Sequence, residues 1–454
     1  GGNYNVVVGD EAGTALTTGD NNVAIGFEAL KTEDANGDNV AVGYQALKTL
    51  NAGADGFNTA VGYLSGTSLS TGTNNTLLGS FSGDALTTGL KNIAIGQNAL
   101  STDTKGQLSV AVGTGALETQ NFTTATDAYN VAVGHDAGNA VTTGVKNVIV
   151  GGLAGDAITT GERNVYIGHT TGTSATDVDF NTGLGAEALY TNVNGSRNVA
   201  VGNGALFTMN PATNTDTYNV AVGYDAGVSV TTGTQNTYIG GLAGDAATAS
   251  VENVAVGYQA LSADTLGSKN VAVGRMALLS QNLTTATDVY NVAVGHNAGQ
   301  QITTGIQNTL LGGLAGDALT DADLNVAMGY LALSADTLGS QSTAIGYKTL
   351  ENQNFTTATD SYNTAVGGGA GRQVTTGVQN TLVGALGGDA LTEGNYNVVL
   401  GMGTLSADTL GSKTTAIGYH ALNAQNFTTA TDSFNTAVGY FAGDSITTGI
   451  KNTI

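Results

Sequence analysis

The sequence predicts an all-β protein, a parallel β-solenoid (β-roll) in which the chain winds about 26 times around one axis. Two observations lead to this prediction. A motif of the form N-[VT]-A-[VI]-G occurs 26 times, and successive occurrences are nearly always 17 residues apart. Its short, β-branched segments favour strands, and 17 residues are too few for a helical hairpin repeat and too many for a heptad. Each repeat is therefore interpreted as one coil that lies parallel on the coil before it.

The repeat covers residues 1–454 as one continuous region, and its first Asn serves as the anchor of each coil. Asn fills 23 of the 26 anchor positions, and Ser109, Ser342 and Thr414 fill the rest. One step between anchors is 19 residues long, five are 21, and the others are 17. The long steps define 72-residue super-repeats from 58, 219, 291, 363 and 435 and an 89-residue unit at 130–218. Because the sequence starts and stops inside a repeat, we expect it to be a fragment of a longer chain.

Positions within a coil are counted here from the anchor, so that the anchor is position 0 and the motif glycine is position +4. The TTG triplets, for example 142–144 and 303–305, predict corners. We expect the aliphatic residue at position +3 to point into the core and stack on itself, as in Val133, Val222, Val294 and Val366.

Position +2 is usually Ala, but in some coils it is larger. It is Leu, Ile or Tyr in coils where the residue after the glycine is small, which predicts that positions +2 and +5 share one packing layer. The pairs are Leu77 with Ser80, Ile149 with Gly152, Tyr238 with Gly241, Leu310 with Gly313, and Leu382 with Ala385.

The anchor and the motif glycine predict two columns of equivalent residues. A stacked Asn amide donates to one neighbouring coil and accepts from the other, while a glycine in every coil indicates a positive φ or a close backbone approach. The alternative, a ligand site, is disfavoured because a site is not repeated in every coil. The predicted structural ladder includes Asn130, Asn147, Asn164, Asn219, Asn236, Asn253, Asn291, Asn308, Gly134, Gly223, Gly295 and Gly367.

Composition limits the classes of function. The net charge of −22 disfavours nucleic-acid binding, and the absence of Cys leaves the redox compartment open. No apolar run approaches the roughly 20 residues of a membrane span. A 17-residue coil that is apolar on both sides of its strand leaves an Ala/Val face in water, so we expect a homo-oligomer. A trimer closes such a face symmetrically, and a dimer or a sheet-like polymer are the alternatives.

The segments "NVAVGYDAG" and "NNVAIGFEAL" resemble the repeats of YadA-like trimeric autotransporter adhesin heads. They also resemble repeats in phage tail fibres that carry a C-terminal self-cleaving chaperone domain. This resemblance covers essentially the whole sequence and implies a left-handed β-roll, three chains wide, with a role in attachment. Two departures weaken it: the coils here are longer than those of the best-known heads, and neither a membrane anchor nor a chaperone domain is present.

No pattern predicts catalysis, a cofactor or a metal site. The histidines at 135, 169 and 296 each follow the motif glycine and replace the Tyr of other coils. The "GGLAGDA" segment at 151–157 lacks the Lys-Ser/Thr of a phosphate loop. The aspartates of this segment recur only every fourth or fifth coil, too far apart to form a Ca²⁺ shell within one chain. We therefore expect a protein that is not an enzyme.

The 21-residue coils carry the one predicted binding surface. Their extra residues form loops such as "QNFTTATDAY" at 120–129, and each loop offers an amide, a large apolar side chain, hydroxyls and a carboxylate of the kind that binds glycans. The alternative is a plain turn whose Tyr or Phe folds back onto the next coil. The candidate residues are Asn121, Phe122, Asp127, Asn282, Asp288, Asn354, Phe355, Asp360, Asn426, Phe427 and Asp432.

Three functions follow as hypotheses. The first is an extracellular fibrous shaft or adhesin, on a bacterial surface or a virion, that binds cell-surface glycans or another receptor. The second is a purely structural filament or spacer. The third is an ice- or polysaccharide-binding solenoid that uses ranked threonines, although these threonines lie at corners rather than along a flat strand.

Overall fold

The computed structural model describes residues 1–454 and contains strands, turns and bends but no helix. It divides into two compact units, Gly1–Thr232 and Gly233–Ile454. Each unit is a parallel β-solenoid in which every coil contributes one three-residue strand, except the coil at Asn452, where Thr453 forms an isolated bridge with Thr436. The prediction of an all-β parallel solenoid with a period of about 17 residues is confirmed.

The first unit has thirteen three-residue strands, one per coil. They are Val6–Val8, Val23–Ile25, Val40–Val42, Thr59–Val61, Thr76–Leu78, Ile93–Ile95, Val110–Val112, Val131–Val133, Val148–Val150, Val165–Ile167, Thr182–Leu184, Val199–Val201 and Val220–Val222. Four two-residue strands accompany the long coils, namely Gly106–Gln107, Thr126–Asp127, Gly195–Ser196 and Thr215–Asp216.

The second unit has twelve three-residue strands. They are Thr237–Ile239, Val254–Val256, Val271–Val273, Val292–Val294, Thr309–Leu311, Val326–Met328, Thr343–Ile345, Thr364–Val366, Thr381–Val383, Val398–Leu400, Thr415–Ile417 and Thr436–Val438. Its two-residue strands are Gly267–Ser268, Thr287–Asp288, Gly339–Ser340, Thr359–Asp360, Gly411–Ser412 and Thr431–Asp432.

Strand pairing keeps one register within each unit. Val131 pairs with Val148 and Val133 with Val150, so that a residue lies beside the residue of the same position in the next coil. The 21-residue coils keep this register, because Val271 still pairs with Val292. Insertions therefore leave the strand stack undisturbed.

The side chain that faces the core is the one at position +2, not the one at position +3. Ala132 and Ala293 are fully buried, whereas Val133 and Val294 are 36% and 37% exposed. Val222 and Val366 are half-buried on the same outer side. The expectation that these aliphatic residues fill the core is wrong, because side chains alternate along a strand and a narrow coil has room only for the middle one.

In the core, a large side chain at position +2 is compensated by a small residue at position +8, not at position +5. Positions +2 and +5 lie on opposite sides of the strand, so the predicted common layer is wrong. Where position +2 is Leu, Ile or Tyr, position +8 is Gly: a Cβ on Gly83 would lie 2.9 Å from Leu77, and one on Gly244 would lie 2.4 Å from Tyr238. Where position +2 is Ala, position +8 is often Leu, as in Leu30 and Leu278. Close packing of a thin core explains this exchange of volume.

The anchor asparagines form a hydrogen-bonded column inside each unit. The backbone N–H of Asn147 donates to Oδ1 of Asn130 at 2.9 Å, and that of Asn164 donates to Oδ1 of Asn147 at 2.9 Å. The side-chain amide of Asn147 also donates to the carbonyl of Gly161 at 2.8 Å. In the second unit the same bonds join Asn236 to Asn253 and Asn291 to Asn308. These side chains are buried, and the column satisfies polar groups that would otherwise cost about 1–3 kcal/mol each.

The glycines at position +4 form a second column. Their φ angles lie far into the region that disfavours L side chains, at +142° for Gly134, +145° for Gly223, +143° for Gly295 and +132° for Gly367. A Cβ on Gly134 would lie 2.4 Å from the carbonyl oxygen of Gly151 in the next coil. Both the positive φ and the close backbone approach therefore require glycine.

We predict that Gly312→Ala destabilises the second unit strongly, by about 2–4 kcal/mol. Gly312 has a φ of +141°, and an added Cβ would lie 2.6 Å from the carbonyl oxygen of Gly329. The neighbouring Gly313→Ala is the matched control, because its Cβ would make only ordinary contact with Tyr330 at 3.5 Å. Thermal unfolding followed by circular dichroism measures both variants, and equal midpoints would contradict the role given to the column.

Candidate binding surface

The five 21-residue coils each carry a loop that ends in a two-residue strand. In the copy at 353–362, the stretch Thr356–Ala358 is exposed, and Thr359–Asp360 pairs in parallel with Gly339–Ser340 of the coil before. The aromatic side chain that follows remains about half exposed in every copy, at Tyr129, Tyr218, Tyr290, Tyr362 and Phe434. About half of each ring is therefore accessible to solvent and about half is covered. Three such loops recur at intervals of four coils in the second unit, about 19 Å apart.

The large apolar residue of the loop does not belong to the surface. Phe122, Phe355 and Phe427 are only 5–6% exposed, and Leu283 is 7% exposed. The expectation that these phenylalanines contact a ligand is therefore wrong, because burial of a large apolar side chain in the coil is more favourable than its exposure. The surface that remains consists of threonines, the aspartate of the short strand and the aromatic ring after it.

The candidate asparagines lie beside a threonine of the preceding coil. Oδ1 of Asn121 accepts a hydrogen bond from the hydroxyl of Thr104 at 3.1 Å, and Asn282, Asn354 and Asn426 accept equivalent bonds at 3.0–3.2 Å. The side-chain oxygen of each asparagine thus holds the base of the loop to the coil before it.

A basic side chain neutralises the loop aspartate in some copies. Nζ of Lys269 lies 2.6 Å from Oδ2 of Asp288 and 5.3 Å from the ring centroid of Tyr290. Lys413 lies at the same distance, 2.6 Å, from Asp432. In the remaining copies with the common loop sequence, Leu108 and Gln341 occupy the position of the lysine, next to Asp127 and Asp360. The loops therefore share a shape but differ in charge.

A buried polar pair anchors four of the loops, at position +11 of two successive coils. Asp336 accepts hydrogen bonds from Nε2 of Gln353 at 2.6 Å and from the backbone N–H of Phe355 at 3.2 Å. Oε1 of Gln353 accepts from the anchor Asn363 at 2.9 Å. The same bonds join Asp103 to Gln120, Asp264 to Gln281 and Asp408 to Gln425. This network was missed in the sequence, although Asp and Gln recur 17 residues apart in these four places.

Three of the four loop glutamines also contact the three exceptions in the asparagine column. Ser109, Ser342 and Thr414 anchor coils that carry one of these loops, and Nε2 of the loop glutamine donates to each hydroxyl at 2.8–3.2 Å. The fourth glutamine, Gln281, lies in a coil whose anchor is Asn270, so the buried pair is compatible with either kind of anchor.

The loop at 209–218 differs from the other four. Its pair is Asn192 and Met209, and it contains Pro211, the one proline of the chain. The surface beside this loop contains a cavity of about 550 Å³ that is lined by Asp177, Asp179, Ser196, Asn214, Thr215 and Asp216. Arg197 forms an ion pair with Asp216 at the edge of the cavity, at 2.8 Å. The super-repeat thus changes its surface here while it keeps its register.

The outer face of the strand has an aliphatic row at position +3, which is Val, Ile, Leu or Met in every coil that reaches it, and this face lies next to the loops. Positions −1, +1, +3 and +5 all point outward, as in Tyr290, Val292, Val294 and His296. Rings at position +5 stack between successive coils: the centroids of Phe27 and Tyr44 are 5.3 Å apart, and those of Tyr44 and Tyr63 are 5.1 Å apart. We call the side chains at positions +1, +3 and +5 the outer stripe.

The other residues considered for chemistry lie apart from one another. His135, His169 and His296 stand at position +5 of the outer stripe, in separate coils. No group of three or more His, Cys, Asp or Glu side chains is placed to hold a metal ion. The structure contains no helix long and apolar enough to cross a membrane.

The aspartates at position +9 divide into two kinds. The hydroxyls of Thr173 and Ser262 donate to Asp156 and Asp245. In Asp84, Asp317 and Asp389, Oδ1 is buried without a hydrogen-bond partner. Burial raises the pKa of all three carboxyls, and that of Asp317 rises to about 6.

Comparison with models of known protein families finds no match, and comparison with curated proteins finds none either. The geometry of the loops and of the outer stripe is therefore the basis for any functional proposal.

We predict that Asp317 makes the protein less stable at neutral than at mildly acidic pH. Its pKa is raised in the folded chain, so the stabilisation by its protonated form is complete below the ordinary value of 3.8 and is lost as the pH rises through about 6. Asp317→Asn should therefore flatten part of the decline of the unfolding midpoint between pH 4 and pH 7. Asp156→Asn is the control, since its carboxylate accepts a bond from Thr173. An effect of Asp317→Asn that does not vary with pH would refute the prediction.

Proposed function

We propose that this chain forms the shaft of an extracellular attachment fibre, built from several copies of itself, on a bacterial cell surface or a virion. The observation that carries the proposal is the outer stripe, which runs beside loops that repeat at one register. Its row at position +3 is aliphatic in every coil that reaches it, and a continuous apolar row of this kind supports an association surface. Three copies would cover it symmetrically, and the polar loops would remain at the outside.

The loops support the attachment role through what they expose. Each presents threonine hydroxyls, a carboxylate and a half-exposed aromatic ring, and in the second unit three of them recur in one row. Repeated weak contacts to a hydroxyl-rich ligand such as a cell-surface glycan would add through avidity. The ligand class remains part of the proposal.

A second candidate is a spacer without a ligand. The burial of Phe122, Phe355 and Phe427 favours it, because these side chains serve the core of the coil. The ice-binding hypothesis has less support. The threonine hydroxyls at position +12 donate to carbonyls of the next coil, as in Thr142 to Thr159 at 3.1 Å and Thr320 to Thr337 at 2.9 Å.

Self-association can be tested on the outer stripe. We predict that the chain sediments as an oligomer and that Val294→Glu combined with Met328→Glu shifts it toward the monomer, because both residues are 37% exposed on the stripe. The control combines Thr285→Glu with Thr357→Glu, which adds the same charge to exposed loop residues. Analytical ultracentrifugation measures the mass, with circular dichroism to confirm the fold. A monomeric wild-type chain would refute the oligomeric shaft.

Attachment can be tested on the loops without disturbing their buried anchors. We predict binding to an array of immobilised glycans, and at least a tenfold loss when Thr284, Thr285, Thr356, Thr357, Thr428 and Thr429 become Ala and Tyr290, Tyr362 and Phe434 become Ser. The control replaces the exposed corner residues Thr376 and Thr448 with Ala. Equal binding by all forms, or none by the wild type, would favour the spacer.

A further inference from the structure

The five loops repeat one pair of exposed groups, an aspartate and the aromatic ring two residues after it. In the copy at 281–290 a basic side chain of the coil before binds both groups. Nζ of Lys269 lies 2.6 Å from Asp288 and 5.3 Å from the ring centroid of Tyr290, and it donates to the phenol oxygen at 3.3 Å. A carboxylate beside an aromatic ring is a combination that attracts an organic cation.

Two other copies hold a cation in the same way. Lys413 lies 2.6 Å from Asp432 and 5.2 Å from the centroid of the ring that follows. Nε of Arg197 lies 2.8 Å from Asp216, and its guanidinium carbon lies 5.8 Å from the centroid of the following ring. The pair therefore accepts an ammonium or a guanidinium group, and the ring can be a phenol or a phenyl.

The copy at 353–362 has the same pair without a basic side chain. Gln341 replaces the lysine, and its Nε2 donates to the phenol oxygen of Tyr362 at 3.3 Å but not to Asp360. The basic residues of this coil and of the next one, Lys348 and Arg372, both pair with a glutamate instead. Asp360 is therefore an exposed carboxylate that no side chain of the protein neutralises.

The backbone places the groups alike in both kinds of copy. In each one the aspartate pairs in parallel with a serine of the coil before, and the residue after that serine is the lysine or the glutamine. This residue has a φ of +62° in Lys269 and +59° in Gln341, and the ring residue has +57° in Tyr290 and +50° in Tyr362. The two rings are 49% and 51% exposed. The copy at 353–362 thus presents the arrangement that binds a cation elsewhere in the chain.

The copy at 120–129 also has no basic residue at this place, because Leu108 occupies it. In the coil after, however, Lys146 follows Tyr129 in the same column, whereas Gln379 follows Tyr362. Only the copy at 353–362 therefore has an uncharged residue in that column on both sides of its ring.

We propose that Asp360 and Tyr362 bind the ammonium group of an amino sugar, in the place that Lys269 fills in the copy at 281–290. The exposed Thr356 and Thr357 of the same loop supply hydroxyls for the sugar ring. The net charge of −22 favours the approach of a cation. The choice of a sugar rests on the proposed function, whereas the affinity for an ammonium group does not.

A trimer of glucosamine with free amines is the probe, and saturation-transfer NMR with the full chain at pH 6 measures its Kd. The N-acetylated trimer keeps most of the hydroxyls and loses the charge, so it should bind about fivefold more weakly or worse. A trilysine peptide carries ammonium groups without hydroxyls and should also bind more weakly. Equal binding of both trimers would overturn the ammonium site and leave attachment to glycans standing. Tighter binding of the peptide would overturn the choice of a sugar.

Exchange of the residue before the anchor tests the site itself. Gln341→Lys supplies an ammonium group from the chain, as in the copy at 281–290, and should raise the Kd of the free-amine trimer about fivefold or more. Gln307→Lys is the matched control, because it adds the same charge at the same position of a coil without a loop. Lys269→Gln should create a second site and raise the saturation-transfer signal. An equal loss in Gln341→Lys and Gln307→Lys would mean that net charge alone governs binding, and it would overturn the proposal.

Discussion

The spacing between parallel strands governs this protein. Adjacent coils lie about 4.8 Å apart, so each residue touches the residue of the same position above and below it. A position can therefore hold only a side chain that packs against the side chain at the same position of the neighbouring coils. Asparagine meets this condition at the anchor because its oxygen accepts from the backbone N–H of the next coil, as from Asn147 to Asn130. Glycine meets it at position +4, where a carbonyl leaves no space for a Cβ.

The same constraint explains how the core tolerates variation. Leu, Ile or Tyr at position +2 is accompanied by Gly at position +8, which leaves space for the larger side chain in a thin core. Each Asp at position +11 has a Gln partner at the same position of the next coil, as Asp336 has Gln353. Both kinds of departure from the repeat thus change two positions together.

The inward-facing and outward-facing residues of the coil have different roles. Inward positions bind one coil to the next through the asparagine column and the small side chains, while the outer stripe is left without a cover in the isolated chain. The loops add polar surface without altering the strand register, since their anchors reach back into the core. An aliphatic row and a row of loops on one scaffold are the features on which the proposal of an attachment fibre rests.

The sequence by itself determined the solenoid, its period and the identity of the asparagine and glycine columns. A residue that is repeated in every coil must lie beside the equivalent residue of the next coil. It also located the loops, since only an outward excursion can add residues and keep the register. The tertiary structure alone decided which side each residue faces. Val133 and Phe122 are equally apolar, yet the first points to solvent and the second is buried. A short strand is apolar on both faces, so hydrophobicity does not mark its interior; the width of the coil does, and that width is set only when the chain closes on itself.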